Sequence, residues 1–278
     1  MVTDVFRLEG VNYLYGSSYA LKDISFAVTR GESLAVLGAN GSGKSTLLKV
    51  LNGLVFPTSG RVYFLGDPLT EDALRGEFSR CFRERVGFVF PEPDVQLFSP
   101  TVFEEVAFGP LQLDIERGEV EKRVAEILSM LGISALKERP PYTLSSGEKK
   151  KVAIASVLAV NPDVLLLDEP TNGLDPRTQV WLFELMDELK RLKKTFIMST
   201  HDLSLVEDLA ERVVLLDESH TVAADGDALR ILKDKDLLLR TNIIHEHTHR
   251  HGDVMHIHSH GPFSTHDEHE TGKEERKK

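Results

Sequence analysis

The sequence predicts an α/β protein built on a mostly parallel sheet, and three observations predict it. A glycine-rich loop, Gly38 to Thr46, lies between the strand-length apolar run Leu34–Leu37 and Leu47–Leu51, which reads as the start of a helix. A second apolar run, Val164–Leu167, is continuous, as in a strand buried on both faces, and ends in Asp168-Glu169. After that point strands and helices alternate, the order that builds parallel sheets.

Length and composition bound the rest. The 278 residues suit one large domain with an appendage, and 41% apolar content supplies a substantial core. No apolar run approaches the roughly 20 residues a membrane-spanning helix needs. Met1–Gly10 has neither the basic start nor the apolar stretch of a signal peptide. A single cysteine, Cys81, excludes an intramolecular disulfide and suits a cytosolic setting. The net charge of −11 argues against a general nucleic-acid binder, which needs clustered Lys and Arg.

In chain order, residues 5 to 37 read as strands that would form an antiparallel β subdomain and lead into the loop strand. Leu8, Val11, Tyr13 and Tyr15 carry one alternation, and Leu21, Ile24, Phe26 and Val28 another, with turns at Gly16-Ser17-Ser18 and Thr29–Glu32. The helix after Lys44 stops near Gly53. Arg61–Leu65 and Val86–Phe90 are further strands. From about 91 to 160 the pattern turns helical, most clearly at Val120, Val124, Ile127, Leu128 and Leu131, spaced by three and four. This predicts a helical insertion that includes a helix over 145–160. Helices at 178–192 and 203–210 then alternate with strands at 195–199 and 213–216. The predicted division is a nucleotide-binding domain over 1–240 and a tail over 241–278.

The loop carries the first chemistry. Gly38, Ala39, Asn40, Gly41, Ser42, Gly43, Lys44, Ser45 and Thr46 fit G-x-x-x-x-G-K-[ST], and the strand and helix on either side give the match its meaning. The glycines allow turns a Cβ would forbid, so that N–H groups cradle phosphate oxygens. The helix N-terminus adds positive potential. Lys44 is placed for the β- and γ-phosphates of ATP and Ser45 for Mg²⁺. Asp168, at the end of its strand, is expected in the same crevice, with a place in the Mg²⁺ shell. Glu169 is expected to polarise the water that attacks the γ-phosphate.

Further motifs resemble the nucleotide-binding subunit of ATP-binding-cassette (ABC) transporters. Leu144-Ser145-Ser146-Gly147-Glu148 is similar to the family's signature motif, Asn172-Gly173-Leu174-Asp175 to its D-loop, His201 to its switch histidine, and Tyr15 to the aromatic that stacks on adenine. The resemblance covers about Val5 to Leu232. It implies a head-to-tail dimer, with an identical or a paralogous chain, in which Ser145 and Gly147 of one subunit cap the γ-phosphate held by the other. It places Asp175 at that interface and gives His201 a hydrogen bond to the γ-phosphate. Two positions depart from the pattern. Ser146 replaces a glycine, which is tolerable if its φ is negative. Pro91 stands where the family has a glutamine that ligates Mg²⁺ and relays nucleotide state to the membrane partner; Glu92 and Gln96 are the nearby substitutes.

Pro93–Phe98, Thr101–Pro110 and Lys149–Ala155 resemble the ATPase of energy-coupling-factor importers of vitamins, cobalt or nickel. That resemblance implies a peripheral position on the cytoplasmic face of the cell membrane, docked on a transmembrane coupling subunit beside a membrane substrate-binding subunit.

Nine of the 11 histidines fall between His245 and His269. Composition predicts a solvated, disordered tail. Its alternating His245, His247, His249 and His251, then His256, His258 and His260, suit Ni²⁺, Co²⁺, Cu²⁺ or Zn²⁺. Only the family resemblance favours nickel or cobalt. The reading is an ATPase energising import of one of these ions. Its rivals are a vitamin importer in which the tail is incidental, and an ABC ATPase outside transport.

Overall fold

The computed structural model describes residues 4–251 and 254–260, with side chains up to Ile244. Two long strands, β1 (Asp4–Tyr15) and β2 (Ser18–Thr29), pair antiparallel across the turn at Gly16. The loop strand β3 (Ser33–Gly38) and helix α1 (Lys44–Leu51) follow. Next, β4 (Ser59–Phe64) and β5 (Asp67–Pro68) complete a four-stranded antiparallel sheet in the order β2-β1-β4-β5. Helix α2 (Phe78–Arg85) leads to β6 (Val86–Val89). The helical insertion comprises α3 (Val102–Gln112), α4 (Arg117–Met130) and α5 (Ser146–Leu158).

The chain then alternates, as expected: β7 (Val164–Asp168), α6 (Pro176–Arg191), β8 (Thr195–Thr200), α7 (Leu203–Leu209), β9 (Arg212–Leu216) and β10 (Val222–Asp227). Two short helices, α8 (Ala228–Lys233) and α9 (Lys235–Arg240), precede β11 (His245–His251) and β12 (Val254–His260). The main sheet runs β10-β9-β3-β8-β7-β6, parallel except for the β9–β10 pair.

Why the central strands read as unbroken apolar runs is visible in the packing. Leu34 and Val36 of β3, Leu166 of β7 and Ile197 of β8 face one core, shared with α1 and the antiparallel sheet. Ala35, Leu37, Leu165, Leu167, Phe196 and Met198 face the other, shared with the insertion and α6. Both faces are covered, so alternate residues are all apolar. This order also puts the C-terminal ends of β3, β8 and β7 side by side, with Asp168 opposite Ser199 and Leu37 opposite Thr200. Whatever follows those strands meets in one crevice.

The structure adds elements that the sequence pattern hides. Helix α2 offers only Phe78 and Phe82 as a four-residue repeat among polar neighbours, and Phe82 alone is fully buried. In the tail, β11 and β12 pair antiparallel from His245↔His260 to His251↔Val254.

Candidate active site

The phosphate loop owes its shape to its glycines. Gly41 and Gly43 have φ of 84° and 108°. A Cβ on Gly43 would fall 2.1 Å from the Ala20 carbonyl oxygen, and one on Gly38 would fall 2.4 Å from Ser42 Oγ. Helix α1 has Gly43 as its N-cap, no side-chain cap and no acidic residue in its first turn. By contrast, α3, α5 and α6 are all capped by side chains. The first-turn N–H groups of α1 thus lack the usual protein acceptor. Beside them, Ser42 Oγ is buried without a hydrogen-bond partner. An open helix N-terminus and an unpaired buried donor fit a phosphate.

Lys44 is 5% exposed; its Nζ donates to the carbonyls of Gly38 at 2.8 Å and Ala39 at 3.2 Å. Its other neighbour is Glu169 Oε1 at 3.3 Å. Glu169 Oε2 lies 3.0 Å from His201 Nδ1. One carboxylate therefore bridges the loop lysine and the histidine that follows β8. The Glu169 backbone pays for this position with φ of 43°, a left-handed conformation that costs an L residue about 1–2 kcal/mol. Its N–H donates to Ser199 Oγ at 3.0 Å and to the Ser199 carbonyl at 3.2 Å, which hold it there.

Asp168 is 1% exposed, and its Oδ1 accepts from Ser45 Oγ at 2.8 Å and Ser199 Oγ at 2.6 Å. Two hard oxygen donors, from the loop and from the end of β7, thus converge. This set fits Mg²⁺, which takes one or two protein oxygens and completes its shell with water and phosphate.

A cavity of about 410 Å³ opens over these groups, walled by Tyr15, Asn40, Gly41, Gly43, Lys44, Ser45, Thr46 and Glu169. Gly38, Ser42 and Asp168 are buried behind it. Tyr15 is 53% exposed, so its ring is available as a platform rather than spent in the core. Three wall residues escape sequence reasoning: Tyr19, Ala20 and His220. Tyr19 lies across the β1–β2 turn, paired with Leu14, and only strand register reveals it. His220 Nδ1 is 3.3 Å from the Ser42 carbonyl oxygen.

Ser145, Gly147 and Asp175 lie elsewhere. They line a separate cavity of about 670 Å³ with Lys151 and Trp181, which shares no residue with the first. Within the chain they already have structural work. Ser145 and Glu148 form a capping box on α5, in which the Ser145 N–H and hydroxyl hold the Glu148 carboxyl below its ordinary value. Asp175 caps α6 by accepting from the N–H groups of Arg177 and Thr178, and it accepts from Thr178 Oγ1 at 2.6 Å. Those bonds, led by the Thr178 hydroxyl, lower its pKa. Ser146 opens α5 and is absent from the residues with positive φ, so the serine is accommodated.

Comparison with known proteins places this geometry. Residues 21–172 match the ABC transporter family model. The chain belongs to the ABC transporter ATP-binding family. An ABC transporter ATP-binding protein of Methanosarcina acetivorans is 55% identical over 89% of this chain and 92% of its own length. The nickel import ATP-binding protein NikO of Rhodobacter capsulatus is 46% identical, covering 87% and 97%. Among solved structures, cbiO1 of Clostridium perfringens, part of the transporter complex cbiONQ, superposes with a TM-score of 0.73 at 37% identity, covering 87% and 95%. The cassette MJ0796, as a dimer with ADP and Pi, gives 0.71 at 30% identity, covering 80% and 98%. This cassette is accordingly a transport ATPase of the α/β ABC fold, similar to NikO, to cbiO1 and to energy-coupling factor transporter ATP-binding proteins.

In the segment after β6, Pro91 stands where the family has a glutamine, and neighbouring side chains hold the backbone. Gln96 is engaged: its Oε1 accepts from the Phe90 N–H at 3.2 Å, and its Nε2 donates to the Ala153 carbonyl at 2.9 Å and to Ser156 Oγ at 3.3 Å. Glu92 is exposed. Lys150, wholly buried, donates from Nζ to the carbonyls of Phe90 at 3.1 Å and Pro91 at 2.8 Å. The Pro91 segment is therefore fastened to the signature helix α5 by two side chains, not by one at position 91. Burial pushes the Lys150 ammonium down to about 8, against the pull of Asp168.

Proposed function

We propose that this cassette hydrolyses ATP to drive import of nickel or cobalt ions through an energy-coupling-factor type transporter. The single observation that carries the hydrolytic part is the Glu169 carboxylate, held in a strained backbone between Lys44 and His201 at the rim of the phosphate loop. In this reading Lys44 turns from Glu169 to the β- and γ-phosphates, freeing the carboxylate to accept a proton from water. His201 orients that carboxylate and the γ-phosphate, and Tyr15 stacks on the base. Ser45 and Asp168 hold Mg²⁺, which neutralises phosphate charge.

Two separate half-sites support a head-to-tail dimer. One cavity holds the phosphate loop and the other the Ser145, Gly147 and Asp175 surface, so only a second copy or a paralogue brings one against the other. Docking on a transmembrane coupling subunit is supported by an exposed apolar patch on the insertion. Phe98 and Phe108 stack edge-on at 4.9 Å while 67% and 44% exposed, and Leu111 lies one turn beyond on α3. Buried Glu105 accepts from the N–H groups of Phe98 and Ser99 and fixes that loop to α3. No helix among the described residues is long and apolar enough to cross a membrane, in keeping with a peripheral subunit. The likeness to NikO and the histidine-rich segment both support a metal cargo.

Uptake of labelled Ni²⁺ and Co²⁺ by cells that express the cassette with its membrane partners tests the cargo. Uptake of either ion that vanishes in Lys44→Ala is expected. Intact ATPase activity in the purified complex with no uptake of either ion would transfer the reading to a vitamin importer. Glu169→Gln tests the base: ATP binding should persist while turnover falls at least about a hundredfold. Unimpaired turnover would remove Glu169 from that role.

A further inference from the structure

His220 walls the nucleotide cavity, yet the phosphate loop, Mg²⁺ and the attacking water ask nothing of it. It reaches the cavity through sheet order. Strand β9 lies beside β3, with Leu216 opposite Gly38, so the loop after β9 starts where the phosphate loop starts. Asp217 shapes that loop. Its Oδ1 accepts from the N–H groups of Ser219 at 2.9 Å and Thr221 at 3.0 Å, and its Oδ2 accepts from Thr221 Oγ1 at 3.0 Å. The His220 N–H donates to the Asp217 carbonyl at 3.1 Å. This wrap holds His220 at φ of 62°, a left-handed conformation that strains an L residue and that glycine takes freely. Two contacts aim the residue. Its carbonyl accepts from the Lys22 N–H of β2 at 2.8 Å, and its ring Nδ1 lies 3.3 Å from the Ser42 carbonyl oxygen. A histidine kept against the phosphate loop in a turn where glycine would sit without strain points to use of its ring.

We propose that His220 binds the ribose of the nucleotide, its Nε2 accepting a hydrogen bond from a ribose hydroxyl. The tautomer decides the chemistry. A carbonyl oxygen only accepts, so Nδ1 carries the proton donated to Ser42, and the neutral ring keeps its lone pair on Nε2. A lone pair offers nothing to a phosphate oxygen, which is itself an acceptor, but it suits a hydroxyl. Position agrees. The first residues of β2 run from the base platform toward the phosphate loop: Tyr19 pairs with Leu14 beside Tyr15, the Ala20 carbonyl abuts Gly43, and Lys22 holds His220. A nucleotide with its base on Tyr15 and its phosphates on Gly41–Thr46 lays its ribose along this wall, because the ribose joins the two. That placement rests on the reading that Tyr15 carries the base. A site that pairs with a hydroxyl discriminates against an analogue that lacks it.

Equilibrium binding of ATP, 2′-deoxyATP and 3′-deoxyATP to the full-length chain tests this, with EDTA present so that no turnover intervenes. The natural protein should bind at least one deoxy analogue about three- to tenfold more weakly than ATP, the range of one net hydrogen bond. His220→Gly takes the left-handed turn without strain, so it should fold at least as well. It should bind ATP only as weakly as that analogue, which erases the discrimination. His220→Gln offers an amide oxygen in place of Nε2 and should restore part of it. A natural protein indifferent to both hydroxyls would overturn the proposal. So would discrimination that survives in His220→Gly: an equal loss for ATP and both analogues there would make His220 a prop for the Ser42 carbonyl and nothing more. Tyr15→Ala tests the base reading separately. It should weaken all three nucleotides alike; binding unchanged in that variant would remove Tyr15 from the base, while the analogue comparison still reads His220.

Discussion

Gly147 tests whether the signature glycine is required within its own chain. A Cβ added there would lie 2.7 Å from Thr178 Oγ1, 3.4 Å from Thr178 Cγ2 and 3.5 Å from Asp175 Oδ2. Thr178 has little freedom to yield: it is β-branched, and its hydroxyl is bound to Asp175 at 2.6 Å. Gly147→Ala therefore either breaks that bond or pushes α5 from α6. Overpacking of this kind costs about 1–3 kcal/mol. Replacing glycine by alanine in a helix returns at most about 1 kcal/mol. The net expectation is a destabilisation of about 1–2 kcal/mol. In a Thr178→Ala background the clashing atoms are gone, and only an ordinary contact with Asp175 remains. There Gly147→Ala should be neutral or stabilising by up to about 1 kcal/mol, which gives a coupling of about 2 kcal/mol between the sites. Urea unfolding of the four proteins of this cycle measures it. An equal loss in both backgrounds would refute the steric argument. ATPase activity gives an independent readout: a double variant that regains stability but not turnover would show that Gly147 also serves the phosphate across the dimer.

Three other outcomes follow from the same structure. Lys150 releases its proton near pH 8 when folded and near 10.5 when unfolded, so the unfolded chain binds more protons between those values and stability should rise with pH there; Lys150→Met should abolish the rise in pH-dependent unfolding curves. Ser145→Ala removes the cap of α5 and should cost about 1 kcal/mol at neutral pH. Because Ser145 holds the Glu148 carboxyl low, with Arg139 and Lys151 helping, that stability is present above the ordinary value of 4.5 and is lost as the pH falls through the lowered one; the variant and natural protein should converge in acid. Phe98→Asp puts a charge into the exposed apolar patch and should leave ATP turnover of the isolated cassette unchanged while abolishing co-purification with the membrane subunits; retained assembly would move the docking surface elsewhere.

Much of this protein is legible in its sequence because local rules carry it. The phosphate loop is a contiguous run whose glycines are dictated by backbone sterics, and the strands β3, β7 and β8 announce themselves by burial on both faces. The signature helix is read from 145, next to its observed start at Ser146, whereas the helix read from 178 misses Pro176 and Arg177, which follow the Asp175 cap of α6. What sequence cannot contain is adjacency between distant segments. That Lys44 meets Glu169, and Glu169 meets His201, depends on β3, β8 and β7 lying next to each other in the sheet. The fastening of the Pro91 segment by Lys150 and Gln96 is equally invisible along the chain, since a buried lysine and an exposed one look alike until a helix packs over them. Tyr19 and His220 join the nucleotide cavity only through a strand pairing and a loop contact.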